Sequence, residues 1–210
     1  MSLERVTVPE PIWHATVAAA PEPLPPGFEP QLPAAGEPDE AAAAALVTLH
    51  RSPIRCTALI GHGDTGTLMY ATVGAEVSVG LVRTLLRSPN AEMAPRDGVE
   101  VVVSQVGDLA SMLLSGLPRP PFEWVGGESG EAARRSLDTI TADASISIEG
   151  RGNVPMLLRL LLGARGWVSL GLEGERVTNT PLTVASLENL LGGELSAALG
   201  RALLATDTTG

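Results

Sequence analysis

The chain of 210 residues is poor in aromatic side chains, which make up 3% of it, and it contains a single cysteine, Cys56. One cysteine cannot form an intramolecular disulfide, which is typical of proteins in a reducing cytoplasm. Residues 1–5 lack the basic and apolar regions of a signal peptide. The strongest apolar run, Met156–Leu162, is far shorter than the roughly 20 residues that cross a bilayer. We therefore expect a cytoplasmic protein with no membrane-spanning segment.

Basic residues are also few: 14 Lys and Arg oppose 24 Asp and Glu, and the formal net charge is −10. Nucleic acids and anionic membranes are bound mainly through clusters of basic side chains. Here the arginines are scattered along the chain, as Arg51, Arg55, Arg83, Arg87 and Arg96 illustrate. The sequence thus predicts neither a nucleic acid nor a membrane as partner.

Hydrophobic residues, mostly aliphatic, make up 44% of the chain, enough to bury a core. Residues 1–38 begin with a predicted strand, Arg5–Val8, and a short helix. Between positions 21 and 38 there are seven prolines in eighteen residues, which exclude a helix or an inner strand and predict an extended strap. Leu24, Phe28 and Leu32 are the residues expected to anchor it to the body.

The first half, residues 39–118, is predicted to contain two helices with four strands between them. Gly and Asp over Gly61–Gly66 predict a turn, and Ser88–Gly98 is expected to be a loop. Asp108 is a candidate N-cap. The predicted elements are a helix over Asp39–Leu49, strands over Ile54–Ile60, Thr67–Val73, Glu76–Thr84 and Val99–Val103, and a helix ending at Gly116.

The same order repeats after a linker at residues 119–130, within the second half at residues 131–210. Met156–Leu162 is apolar on both faces, which favours a central strand. Gly192 and Gly193 are expected to split the last helix. The predicted elements are a helix over Glu131–Ile140, strands over Ala144–Ile148, Met156–Leu162, Trp167–Leu170 and Glu175–Asn179, and helices over Val184–Leu191 and Glu194–Leu204.

This parsing predicts an α+β fold. Two helix–four-strand–helix halves, related by a quasi-twofold axis, would form a central antiparallel sheet flanked by helices in one compact unit. The starting strands of the two halves lie about 90 residues apart, although the halves share little sequence identity.

No motif for catalysis or for a cofactor is recognisable. The three histidines, His14, His50 and His62, and Cys56 lack the close spacing of zinc ligands. The Gly61–Gly66 segment lacks the lysine and the following helix of a phosphate loop. We expect no enzyme activity, no catalytic residue, no metal and no cofactor.

Two alternatives stay open at this point. An enzyme or small-ligand site could lie in a cleft between the halves, with His62, Asp64 and Arg165 as candidates. The chain could also self-assemble as a homodimer through a sheet edge. Phe122 and Trp124, two of the few aromatic residues, are expected to pack the linker on the body, with a peptide-docking role as the alternative.

The arrangement resembles the EspG family, cytoplasmic substrate-binding chaperones of type VII (ESX) secretion in actinobacteria. In the first half, the resemblance lies in the strand and helix at 5–20, the Ala-rich helix running into Leu49-His50-Arg51-Ser52-Pro53-Ile54, and the closing Val99–Val103, Asp108–Leu114 and Leu117-Pro118. In the second half it lies in Trp167–Leu170, Val177–Pro181-Leu182 and the final helix through Leu187, Leu190 and Leu191.

The resemblance implies an adaptor for protein transport that binds a secreted substrate, such as a PE–PPE heterodimer, and keeps it soluble for export. It implies a quasi-twofold α+β fold that binds through one half. Independently, an apolar strand and the C-terminal helices could present a groove to a helical hairpin. The candidate protein-binding residues are therefore Met156, Leu158, Leu160, Leu187, Leu190 and Leu191.

Overall fold

A computed structural model describes residues 4–20, 23–73, 77–87, 93–105, 108–150 and 155–207. Within these ranges the protein has an α+β fold with five helices and one sheet of ten strands, all paired antiparallel. The α+β class predicted from the sequence is confirmed. Residues 74–75, between the predicted strands Thr67–Val73 and Glu76–Thr84, lie outside the described residues, as do residues 151–153 between Ala144–Ile148 and Met156–Leu162.

Two groups of strands are each flanked by helices along the chain. The helices are α1 (Glu10–Ala19), α2 (Glu40–Arg51), α3 (Leu109–Ser115), α4 (Gly130–Ser136) and α5 (Val184–Asp207). The strands are β1 (Glu4–Val8), β2 (Ile54–His62), β3 (Thr65–Val73), β4 (Val77–Arg87), β5 (Met93–Pro95), β6 (Val99–Gln105), β7 (Ala142–Gly150), β8 (Met156–Gly163), β9 (Gly166–Glu173) and β10 (Arg176–Leu182). The two groups are β2–β6 and β7–β10.

The strand order is β1-β6-β4-β3-β2-β7-β8-β9-β10, with the short β5 paired to β4. The middle of the sheet is the β2–β7 pair, in which Ile54 opposes Gly150 and His62 opposes Ala142. The strand Met156–Leu162 was predicted to be central, but it lies as β8 one place beyond this pair. Only one face of β8 is covered: Leu158 and Leu160 are buried, while Leu157 on the other face is 63% exposed.

One face of the sheet, here called the inner face, packs against α3 and α5. It presents the side chains of alternate residues in the central strands, such as Cys56, Ala58, Ile146 and Leu160, to the apolar sides of these helices. Burying this aliphatic surface is the main source of stability, at about 25 cal/mol per Å². The side of α3 that faces the sheet is formed by Leu109, Met112 and Leu113, which are all buried.

The opposite, outer face is covered over β3, β4 and β6 by α1, α2 and the proline-rich strap. Trp13 and Phe28 are fully buried there, and the indole N–H of Trp13 donates to the carbonyl of Phe28 at 2.9 Å. Asp39 caps α2 by accepting from the N–H of Ala42. Leu32, expected as an anchor, is 44% exposed; its backbone carbonyl, not its side chain, makes the contact, with Nδ1 of His14 at 2.7 Å.

A smaller cluster covers the other end of the outer face, where α4 and the linker meet β9. Trp124 and Ala133 pack there with Val168, and the indole N–H of Trp124 donates to the carbonyl of Trp167 at 2.8 Å. The linker thus packs on the body through Trp124, as expected. Phe122 is 69% exposed and makes no such anchor.

Two predicted connections in the first half differ from the structure. Gly61, His62, Thr65 and Gly66 are paired strand residues, so the predicted Gly61–Gly66 turn shrinks to its two middle residues. Within the predicted loop Ser88–Gly98, Met93–Pro95 forms β5 because it pairs with the end of β4.

Three helix predictions were also wrong in detail. Helix α4 ends at Ser136, and Ile140, expected on its inner side, is 52% exposed. Asp108 precedes α3 but its side chain makes no capping hydrogen bond. Helix α5 continues through Gly192 and Gly193 without a break, because a glycine lowers helix stability by only about 1 kcal/mol and tertiary packing outweighs this.

Candidate binding surface

The six residues predicted to bind a partner lie in the helix–sheet interior. Leu158, Leu160, Leu187 and Leu191 are between 0% and 8% exposed, and Met156 and Leu190 are partly buried against them. They join α5 to β8 on the inner face. A partner could reach the four buried side chains only if this packing opened, so in this conformation they serve the core.

The three residues proposed for a cleft between the halves do not come together in one site. His62 lines a cleft of about 390 Å³ with Arg87 and Asp143. Asp64 lies in the β2–β3 turn, where its carbonyl accepts from the N–H of Arg87 at 2.8 Å. The guanidinium of Arg165 lies 5.0 Å from the ring centre of Trp124 and donates to Glu128 at 3.0 Å.

Cys56 is fully buried on β2 beneath the inner-face helices, and burial raises the pKa of its thiol from 9.0 to about 12. A protonated, inaccessible thiol is neither a nucleophile nor a metal ligand. In the part of the chain that the structure describes, no three His, Cys, Asp or Glu side chains are grouped closely enough to hold a metal ion.

An apolar cleft lies on the inner side between the end of α3, the start of α5 and the linker. It has a volume of about 520 Å³ and is lined by Leu117, Pro118, Trp167, Val184 and Leu187, among others. The indole N–H of Trp167 donates to the carbonyl of Pro118 at 3.2 Å, which fixes the linker over the cleft. Ser115, Arg119 and Glu123 also line it, so the cleft combines an apolar wall with polar groups from α3 and the linker.

A buried ion pair fixes the cover of the first half. Arg83 on β4 donates through one nitrogen to both carboxylate oxygens of Glu10, at 3.1 and 2.9 Å, and both residues are at most 2% exposed. Its other terminal nitrogen donates to the carbonyls of Gly27 and Glu29 in the strap. Since an unpaired buried charge is costly, this pair ties α1, the strap and the sheet together.

The outer face of the second half carries an uncovered apolar surface. We call it the open sheet face and define it by Leu157, Arg159, Leu170, Leu172 and Val177. Leu157, Leu172 and Val177 are 63%, 75% and 62% exposed, Arg159 is exposed and Leu170 is partly buried. These residues are neighbours: Arg159 pairs with Leu170, and Leu172 with Val177.

The amino-acid sequence alone does not reveal this surface. Leu172 lies beyond the predicted strand Trp167–Leu170, because β9 continues to Glu173. The other four residues belong to predicted strands, but alternation gives two faces per strand without telling which face a helix will cover. The one available signal was Arg159, a charged residue inside an otherwise apolar strand. A charge there indicates that its face of the strand is not part of the core.

The open sheet face is therefore the clearest candidate for a binding site in the described residues. No protein-family model matches this chain, and no curated protein matches it in sequence. Among the described residues, no helix combines the length and apolar character that crossing a bilayer requires.

Proposed function

We propose that this protein is a cytoplasmic binding protein of the EspG type, an adaptor that holds a type VII secretion substrate in solution. The observation that carries the proposal is the open sheet face, on which three large aliphatic side chains are more than 60% exposed. Contiguous apolar surface on an ordered sheet is typical of sites for protein partners. The protein then acts by covering an apolar surface of its substrate, with no reaction of its own.

The proposal includes two quasi-twofold halves, the architecture that the EspG resemblance implies. The sheet order supports it, because β3, β4 and β6 follow outward from β2 as β8, β9 and β10 follow from β7. A twofold axis through the pair Ala58–Ile146 would superpose these strands. The helices support it too: α2 and α4 pack on the outer face, and α3 and α5 on the inner face.

The charge of the chain suits this role. A net charge of −10 keeps an adaptor with exposed leucines from associating with itself. The same charge leaves apolar contact as the main attraction toward a substrate, and burying aliphatic surface gives about 25 cal/mol per Å².

Co-expression with PE–PPE-type heterodimers from the same host tests the proposal. We expect a soluble complex on size exclusion, less aggregation of the heterodimer, and a higher melting temperature of the adaptor, because a ligand that binds only the folded state stabilises it. An unrelated helical heterodimer of similar size serves as the control.

Two outcomes would contradict the proposal. One is that no heterodimer forms a complex or gains solubility. The other is that sedimentation shows a stable homodimer with the open sheet face buried in it, which would support self-assembly instead.

A further inference from the structure

The open sheet face of the second half has a covered counterpart in the first half. On the proposed twofold relation, Tyr70 and Leu81 correspond to Arg159 and Leu170, since each pair lies side by side on the first and second strands out from the middle. Leu81 is fully buried, whereas Leu170 is only partly buried. The two positions differ because α1, α2 and the strap cover the first, whereas α4 only borders the second, with Gly130 against Asn179, the strand partner of Leu170.

The next row of the sheet repeats this contrast. Leu68 and Arg83 are paired in the first half, and their counterparts in the second half are Leu157 and Leu172. Leu68 is packed under the strap, where a β-carbon on Gly27 would overlap it. Arg83 is 0% exposed, while Leu172 is 75% exposed.

The cover of the first half shows what chemistry this kind of surface accepts. It is a short helix, α1, followed by extended chain, and it places Trp13 and Phe28 on the aliphatic sheet. It also brings one carboxylate, Glu10, to the arginine buried beneath it, Arg83. Apolar contact thus comes together with one charge pair.

The open sheet face also offers aliphatic side chains and one arginine, but no described carboxylate pairs with that arginine. Arg159 lies between Ser145 on β7 and Leu170 on β9, and it has no ion-pair partner among the described residues. The nearest carboxylate on the adjacent strand, Asp143, is opposite Leu161, one outer-face position further along. A carboxylate on the occupant would therefore pair with Arg159 while its apolar side chains contact the leucines.

We infer that the open sheet face is the docking surface for an amphipathic helix of a partner protein, one with an aliphatic or aromatic side and a carboxylate that pairs with Arg159. The inference rests on the proposed function and specifies which segment of the substrate is bound, and where. A second copy of this chain is a poor occupant, since two copies each carry a charge of −10 and the α1 of each copy is already held by Arg83.

Two stapled, fluorescently labelled helices with the sequence of residues 9–20 test the surface without any natural partner. One keeps the glutamate at position 10 and the other has lysine there; stapling reduces the entropic cost of ordering a short helix. We expect the glutamate peptide to bind about tenfold more tightly by fluorescence anisotropy, because a close charge pair favours it and a like charge opposes the other.

Variants then locate the binding. Leu172→Glu should lower affinity for the glutamate peptide at least about tenfold, and Arg159→Glu should reverse the preference in favour of the lysine peptide. Val125→Glu, at a 90% exposed linker position that is not part of the open sheet face, is the matched control and should bind as the unaltered protein does. All three positions are exposed, so circular dichroism and urea midpoints should stay unchanged.

The same variants are then titrated with a PE–PPE-type heterodimer. If the heterodimer binds but Leu172→Glu and Arg159→Glu bind it equally well, the docking surface is wrong and the proposed function stands. If the peptides show the charge reversal but no heterodimer binds, the docking surface stands and the proposed function falls. Absence of peptide binding, or binding that ignores position 159, overturns the inference, as does a homodimer that Leu172→Glu dissociates.

Discussion

The outer face of this sheet is built in two ways by one chain. Over β3, β4 and β6 it is closed by α1, the proline-rich strap and α2, and Leu81 beneath them is fully buried. Over β8, β9 and β10, α4 and Trp124 are the only described parts of the chain that pack, at one end around Val168, and Leu172 remains 75% exposed. Similar strand pairing thus leads to a core in one half and to a free surface in the other.

The difference shows that the cover, and not the sheet, decides what a strand residue does. A leucine under α1 stabilises the fold because its apolar area leaves water on folding. The apolar area of an exposed leucine leaves water only when a partner binds, so its burial then favours binding. Polar groups follow the same rule. Arg83 is buried with its carboxylate supplied by Glu10, while Arg159 stays in solvent.

Thiol labelling should give the largest contrast between the two halves. Val99 lies two residues before the strand partner of Leu81 and is 0% exposed. Val177 lies two residues before the strand partner of Leu170 and is 62% exposed. In a Cys56→Ala background, we expect Val177→Cys to react with a disulfide reagent as an exposed thiol does. Val99→Cys should react more slowly by about a thousandfold, since it reacts only during opening.

In the unaltered protein, which keeps Cys56, stability depends on pH through this buried thiol. Burial raises the pKa of its thiol from 9.0 to about 12, so the folded protein keeps the proton that the unfolded chain loses above pH 9. The stability that the neutral thiol contributes is complete below pH 9 and is lost as the pH rises toward 12. Equal labelling rates at positions 99 and 177 would contradict the difference in exposure between the two halves of the outer face.

Removing the guanidinium from each half should have unequal effects on stability. Arg83→Met leaves the buried carboxylate of Glu10 without its cation, with only the backbone N–H groups of Gln31 and Gly98 as donors. We expect a loss of about 3–5 kcal/mol in the free energy of unfolding. Arg159→Met, its control on the open face, should change stability by less than about 0.5 kcal/mol. Urea unfolding measures both, and Glu10→Gln added to Arg83→Met should recover part of the loss. Equal effects of the two arginine variants would mean that the second half is covered in solution.

Leucine-to-alanine substitutions compare the stability of the two halves without changing any charge. Leu81→Ala creates a cavity under α1 and α2 and should cost about 2–5 kcal/mol. Leu170→Ala, at the corresponding position of the second half, removes a partly exposed side chain and should cost less than about 1 kcal/mol. A cost for Leu170→Ala equal to that for Leu81→Ala would contradict the open sheet face.

Much of the fold could be predicted because local patterns determine it. Alternation and apolar runs predicted nine of the ten described strands, and the Ala-rich run after Asp39, which caps it, predicted α2. Patterns could not tell which side of a strand is covered, so the buried Leu158 and Leu160 were proposed for binding while the exposed Leu157 was not. That distinction depends on where helices pack, which is tertiary information.

Long-range pairing explains the remaining differences. The buried pair of Arg83 with Glu10 joins positions 73 residues apart, and no local signal links them. The short strand β5 exists only because Met93–Pro95 reaches β4. The continuous helix α5 is another case: the glycine pair in it predicts a break, while packing of Leu187, Leu191 and Leu195 against the sheet holds both parts in line.

The two glycines of α5 give the smallest expected effect and compare the inner faces of the halves. Helix α5 has 24 residues where its counterpart α3 has seven. A β-carbon on Gly192 or Gly193 would have no atom within 4 Å, so Gly192→Ala and Gly193→Ala should each stabilise the protein by about 0.5–1 kcal/mol. Gly80→Ala is the opposite control. Its β-carbon would lie 2.9 Å from Met112 on α3, so this substitution should destabilise the protein. If urea unfolding showed instead that alanine at 192 and 193 lowers stability, the glycines would be required for a bend, and α5 would be two helices in solution.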